Sequence, residues 1–402
     1  MKKVVEFKQP QDKKIEENKK KKIDKKKLVI IIAITILILT FIIIAALYAA
    51  NKNFRNFMDK HILRKDITNE NVAVIDIDYD SNTNIIPYGR YICILAENNL
   101  EQYNASGKKE QEVKIEINNP VYDVNGRYLV IGEKDSQKLY LISGTHIIWE
   151  KNVDGNLSKV TVNRSGYVTT IISGTSYKSV IVTYDDKGNE LFKSYLSNTT
   201  AVDARISQDN NYLGYAEINT SGTVIQSNVK IISIEEATEK NTEPVFNYTA
   251  PQNSLILRLK YQEKNRLVCV YDDSIHMIES NVDVKLMDLQ EDKKITFGGA
   301  QLTNCVYRMV EESTGPFTAN TNVEMYNIAT QKETTYLVEG VVKSVANYDN
   351  IMAMNLGSEV DFINTNGWLM KRYTSRQEIR NIVICDGIAG IIYRDKIELI
   401  NL

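Results

Sequence analysis

The sequence predicts an all-β domain, a β-propeller, behind a single N-terminal transmembrane helix. Three observations predict it. Residues 28–50 run for 23 positions without a charge, residues 71–402 read as many short strands, and one turn-and-strand pattern recurs eight times within them.

Leu28–Ala50 (LVIIIAITILILTFIIIAALYAA) is long enough, at 1.5 Å per helical residue, to cross a hydrocarbon core about 30 Å thick. A buried core helix would need a polar face, and this run offers only Thr35 and Thr40. A cleaved signal peptide would need a small residue three positions before the cut, where Leu47 or Tyr48 stands for cleavage after Ala49 or Ala50. With no cysteine nearby to carry a lipid, an uncleaved signal anchor is expected. Residues 1–27 hold twelve lysines against five acids, whereas the flank 51–65 has only five basic residues. The positive-inside rule then places a basic tail, 1–27, in the cytoplasm and the C-terminal domain outside the cell membrane. Lysine tracts beside a membrane also attract anionic headgroups, but a topogenic role suffices for them. Residues 51–70 read as a short stalk, with Phe54, Phe57, Met58 and Ile62 at helical spacing.

The 43% apolar and 25% charged composition is ordinary for a chain that buries a core. Of 49 basic and 51 acidic residues, 37 and 46 follow the helix, a balance of minus nine. That deprives nucleic-acid binding of its electrostatic footing. Cys93, Cys269, Cys305 and Cys385 are widely spaced and form no CxxC pair, so metal and redox motifs are missing. Cys93, Cys269 and Cys385 lie in apolar runs (YICIL, LVCVY, IVICD), as small buried hydrophobes do.

From Asn71 onward, runs rich in Val, Ile and Tyr alternate with Gly, Asn, Asp and Ser punctuation, the texture of short strands. No further helix is expected, and the polar stretch Glu235–Glu243 reads as a loop. The repeat begins at Gly89, Gly126, Gly166, Asn211, Asn265, Asn304, Asn350 and Gly387, at intervals of 37 to 54 residues. Propeller blades have about this period. A second landmark, an apolar strand ending in a turn, leads to Gly107, Gly144, Gly188 and Gly367. The count gives eight blades, with seven as the alternative. The last copy ends after two strands, GIAGIIY and KIELINL, so its blade lacks an outer strand. Asn71–Asp78 (NVAVIDID) is the candidate to supply it and close the ring.

Ser207–Tyr215 (SQDNNYLGY) resembles the turn of TolB-type repeats, with Gln208 in place of the usual proline. Tyr184–Phe192 and Phe362–Trp368 are similar to the strand-turn-strand of quinoprotein-like repeats. The whole layout, a lysine tail, one helix and a degenerate propeller, resembles a clostridial family of membrane-anchored propellers. These motifs imply a fold and carry no chemistry. A quinoprotein dehydrogenase would add adjacent cysteines and a tryptophan-rich repeat, whereas Trp149 and Trp368 are the only tryptophans here.

No catalytic, cofactor-binding or metal site is assigned. Asp76, Asp78 and Asp80 share one face of a strand, yet Ser81 and Pro87 stand where a calcium loop needs glycine and glutamate. His61 lies in the stalk, and His146 and His276 read as isolated. Asp185–Asp186 and Asp272–Asp273 fall at turns, where aspartate caps backbone amides. The expected function is therefore a membrane-anchored, extracytoplasmic binding or scaffold module acting through its loops on a protein or envelope partner. The alternative is a hydrolase or lyase with acids at the central channel. The topology is testable by adding protease to intact wall-stripped cells: digestion of the C-terminal domain is expected, and complete protection would overturn the orientation.

Overall fold

A computed structural model describes residues 25–50, 72–77, 79, 83–96, 98–289, 294–316 and 318–402, together with Phe54, Met58 and Ile62. The chain divides into two compact units, Met1–Arg64 and Lys65–Leu402.

In the first unit, helix α1 spans Lys25–Ala50. Its segment Ile30–Tyr48 has a mean hydropathy of 3.3 and no buried surface, and is long and apolar enough to cross a membrane. The Thr35 and Thr40 hydroxyls donate to the carbonyls of Ile31 and Ile36, so neither is left unsatisfied in an apolar surrounding. Phe54 and Met58 are helical and the Ile62 amide donates to the Met58 carbonyl at 3.0 Å. The rest of the expected stalk lies outside the described residues.

In the second unit, the described residues form thirty-two strands in eight four-stranded antiparallel sheets, the blades of a propeller. Each of the eight repeats supplies the second strand of one blade, from Tyr91–Ala96 in the first to Ile388–Ile392 in the eighth. The second and third strands are covered on both faces by neighbouring blades, and runs such as Tyr128–Ile131 and Ser179–Tyr184 are buried throughout. The innermost strands differ. Those of blades one to eight are β2 (Asn84–Tyr88), β6 (Pro120–Asn125), β10 (Asn156–Val162), β14 (Thr200–Ile206), β18 (Ile256–Tyr261), β22 (Lys294–Gly299), β26 (Ser344–Tyr348) and β30 (Asn381–Cys385). From β26 through β30, β2, β6, β10 and β14 to β18 they pack side by side, and β6, β22 and β26 are largely half-buried because one side of each faces the central channel.

The ring closes through strand β1 (Ala73–Asp76), which pairs with β32 (Lys396–Asn401), the final strand of the chain. Ala73 lies opposite Leu399 and Asp76 opposite Lys396. The eighth blade thus reads β30, β31 (Ile388–Ile392), β32, β1, with its outer strand drawn from the start of the domain, as expected. Ile75 is 5% exposed and packs in one cluster with Ile397, Leu399 and Ile92.

The second landmark of the repeat is a side-chain-capped turn. In Asn104–Gly107, Asp185–Gly188 and Asn364–Gly367 the first residue's side chain accepts two backbone amides, and its carbonyl takes the glycine amide. Gly188 has φ +82° and its backbone lies under the Trp149 ring, so a side chain would meet both strain and a clash. Asp185 acts through this local role, as its position at a turn suggested.

Two expectations need correction, that no helix follows α1 and that Glu235–Glu243 is a loop. A five-residue helix, α2 (Ile234–Thr238), does follow α1, and it occupies the start of the stretch read as a loop. Ser233 caps it by accepting the Glu236 amide, and Ile234 and Ala237 are buried in the seam with blade three. The Ser-Ile-Glu-Glu sequence is a capping-box signature that was legible but outweighed by the surrounding polarity. All four cysteines are free and buried, Cys305 included, and burial raises each thiol above its ordinary range.

Deleting residues 71–80 removes β1 and bares Ile397 and Leu399. Burial of Ile75 alone contributes roughly 2 kcal/mol, so for a domain of this size the full-length protein should melt at least about 3 °C lower. Equal melting temperatures for the deletion and the parent would refute the closure. Shortening the exposed segment 239–244, by contrast, should leave the transition nearly unchanged.

Candidate functional site

The charged residues that the fold brings together lie on the innermost strands of blades two to five. Strands β10, β14, β18 and β22 each carry a β-bulge near their start, between Leu157 and Lys159, Ala201 and Asp203, Ile256 and Arg258, and Ile295 and Phe297. A bulge adds a residue and re-aims the side chains after it. Repeated at one level in four neighbouring blades, it aligns Lys159, Asp203, Arg258 and Phe297 as equivalent positions. Two residues further on, Thr161, Arg205, Lys260 and Gly299 align in the same way.

Asp203 is fully buried and saturated. Its Oδ1 lies 3.0 Å from Lys159 Nζ and 3.5 Å from Arg205 Nε, and its Oδ2 accepts the Leu259 amide at 2.8 Å. Burial alone would raise its carboxyl, but Arg205, Lys159 and that amide reverse the effect and hold it below the usual carboxylate range. Arg205 also reaches past β10 to Asp123 on β6, with Nη1 to Oδ2 at 2.5 Å, and the same oxygen accepts the Val162 amide at 3.0 Å. Lys159 donates to the Val202 carbonyl as well, yet burial pulls its ammonium below the ordinary lysine value. Lys260 donates to the Gln301 carbonyl of blade six. Burial first, then the nearby Arg205, bring it down to about 8.

Two further surfaces stand out. A cleft of about 590 Å³ opens between blades five and six, with Met287, Met325 and Tyr326 beside the Arg308–Glu324 ion pair at 2.7 Å. On one rim, exposed apolar side chains gather in blades three and four: Tyr177 and Tyr195, with ring centroids 4.7 Å apart, and Val224 and Ile225. All four lie at the ends of strands joined by second-to-third-strand or blade-to-blade connections, which antiparallel alternation puts on one face. The Lys178 ammonium and the Ser221 hydroxyl, one from each blade's loop, both donate to the Asn198 carbonyl and tie these loops together.

The residues weighed from sequence are dispersed. Asp76 ends β1, exposed, while Asp78, Asp80 and His61 lie outside the described residues. His146 opens strand β9 (His146–Asn152) on the surface. His276 is not isolated: its Nδ1 lies 2.8 Å from Asp283 Oδ2, and its ring meets Tyr271 edge-on at 5.4 Å. Asp272 accepts the Leu255 amide and Asp273 the hydroxyls of Ser254 and Ser274, which are local bracing roles. Among the described residues no group of three or more His, Cys, Asp or Glu converges as a metal site would require. Sequence reading passed over the channel cluster, because Lys159, Asp203, Arg205, Arg258 and Lys260 are scattered over about a hundred residues. The signal was there in charged residues interrupting apolar strand runs.

Residues 64–402 match a family described as "Family of unknown function (DUF5711)". The chain belongs to this family. No curated protein matches the DUF5711 chain. Among solved structures, Sqt1 from Chaetomium thermophilum is 10% identical with a TM-score of 0.50, covering 83% of this chain and 99% of its own. BamB from Moraxella catarrhalis is 12% identical with a TM-score of 0.46, covering 82% and 100%. AztD from Citrobacter koseri, in its apo form, is 12% identical with a TM-score of 0.46, covering 78% and 96%. At this identity the likeness to Sqt1 reaches the fold and no further. The propeller resemblance read from the turns is borne out.

Lys260 makes a testable demand on stability. Its folded-state value of about 8 lies below the ordinary 10.5, so holding it charged costs stability at pH 7. Between those two values the unfolded chain binds the extra proton, and stability from this group rises with pH. Lys260→Met should therefore stabilise the protein at pH 7 by roughly 1 to 3 kcal/mol and abolish that rise. Denaturant titrations across the window check it, and a variant less stable than the parent at pH 7 contradicts it.

Proposed function

We propose that the DUF5711 chain is a membrane-anchored binding or scaffold module. In this reading α1 crosses the cell membrane as an uncleaved anchor, the lysine tail stays cytoplasmic and the propeller lies outside. The observation that carries the choice of binding over catalysis is the state of the channel acids. Asp203 and Asp123 are each held in place by a cation and a backbone amide, and at Asp203 these partners hold the carboxyl below its usual range. A hydrolase or lyase would need a carboxyl free to exchange protons with a substrate. The apolar rim is the surface the reading assigns to a partner, since contiguous exposed apolar groups on a folded domain mark interaction sites. Its paired tyrosines, tilted at 41° to each other, supply rigid area at low entropic cost.

Crosslinking the tagged full-length protein in its own cells should give a discrete adduct with an envelope or membrane protein. Replacing Tyr177, Tyr195, Val224 and Ile225 together by serine should abolish that adduct while leaving the melting transition within about 2 °C, because all four are exposed. An adduct that persists at full yield in the quadruple variant would refute the rim as the binding surface.

A further inference from the structure

The bulged layer of the channel is unbalanced at one end. Around it, Lys159, Asp203, Arg205 and Asp123 satisfy one another through the ion pairs described above. Arg258 is the next residue in the layer after Asp203, and the position beyond it in blade six is Phe297. No acid stands on β22 itself. Instead β22 continues as Gly298–Gly299, which contributes no charged side chain either. Arg258 is exposed, and it has no hydrogen-bond or ion-pair partner among the described residues. The bulge between Ile256 and Arg258 re-aims it, so that Leu257 and Arg258, although consecutive, are both exposed.

Lys260 is two residues along the same strand and so shares Arg258's face, about 7 Å away. Its ammonium donates to a backbone carbonyl and has no carboxylate within ion-pair distance among the described residues. The charged groups that act on it are Arg205 and Arg258, which oppose its charge, and Asp123 and Asp349, which favour it. Asp123 is already engaged by Arg205, and Asp349 sits in the turn between β26 and the next strand. Tyr307 of blade six, which accepts a hydrogen bond from the Asn347 amide at 3.0 Å, feels the Arg258 charge as well. Its hydroxyl proton has no acceptor among its hydrogen bonds to described residues.

We propose that Arg258 and Lys260 form a binding site for a phosphate-type dianion in the channel. A guanidinium offers a planar fork to two oxygens, and a neighbouring ammonium supplies a second charge. A dianion between them would neutralise the two cations that the protein's own carboxylates leave uncompensated. The setting sharpens the effect: the sequence after the helix carries a balance of minus nine, so a cationic channel layer is a local exception to the charge around it. Such a site would make the channel, and not only the rim, a place where the module meets its ligand. It stands independently of the rim reading.

The experiment uses the full-length protein in neutral detergent at pH 7.5, with inorganic phosphate as probe and sodium chloride at matched ionic strength as the reference. Calorimetric titration and the melting temperature are both read. Phosphate is expected to bind saturably and to raise the melting temperature. Arg258→Gln should weaken that binding at least about tenfold, the loss expected for one charge-assisted bidentate contact. It should not lower the melting temperature in chloride, because Arg258 is exposed and unpaired. Lys193→Gln, at a surface ion pair with Asp154 in blade three, should bind phosphate as the parent does. Phosphate and chloride acting alike on the parent would overturn the proposal. So would equal phosphate affinity in Arg258→Gln and the parent, which would locate the anion elsewhere.

Discussion

Everything in the second unit depends on the pairing of β1 with β32. Eight blades can share their faces only if the first and last are held together, and one four-residue strand at the start of the domain does it. Without it β32 would present an unpaired edge beside Ile397 and Leu399, both almost fully buried in the closed ring. The channel depends on closure as well. Arg205 bridges blade four to blade two, and Lys260 bridges blade five to blade six, so the charged layer exists only while neighbouring innermost strands keep their spacing. A blade that drifted by an ångström or two would leave Asp203 buried with its charge uncompensated, which costs several kcal/mol.

The charge arrangement in the channel is hard to explain as a device for stability. Buried ion pairs gain little over well-packed apolar side chains, because desolvation offsets most of the attraction. Lys260 is held charged against burial, and Arg258 has no partner among the described residues. Elsewhere the propeller is conservative: the middle strands are apolar, turns are capped by their own Asn and Asp side chains, and the thiols are buried. Local rules are broken mainly in the channel layer, where a functional constraint is the usual reason.

Much of the fold was legible in the sequence. The repeat starts coincide with the second strand of every blade, because those strands are buried on both faces and must be continuously apolar. Their turns need glycine or asparagine at positive φ, as at Gly126 (φ +58°) and Asn304 (φ +49°). The missing outer strand could be assigned to residues 71–78 because a ring leaves one vacancy and one spare segment. Helix α2 was missed since five residues make no periodic pattern and only its capping box announces it. The channel cluster was missed for a different reason: a salt bridge between Asp123 and Arg205 joins residues far apart in the chain, and sequence spacing carries no trace of it. Its visible counterpart, the shared bulge of four innermost strands, is a property of register and so appears only once partners are paired. His276 likewise gained its Asp283 partner from a hairpin whose register, set by a bulge at Ile275–His276, could not be read in advance.

Closure is most directly measured by a cross-strand disulfide. Asp76 and Lys396 are partners in the β1–β32 register, Asp76 is exposed, and the four native cysteines are buried and so do not compete. The full-length variant carrying Asp76→Cys and Lys396→Cys should form an intramolecular disulfide on mild oxidation, seen by mass spectrometry as a peptide pair joining residues 76 and 396. Neither single variant should give that pair. If the double variant stays reduced, or links only one molecule to another, the ends of the domain are not neighbours and the closed ring is wrong.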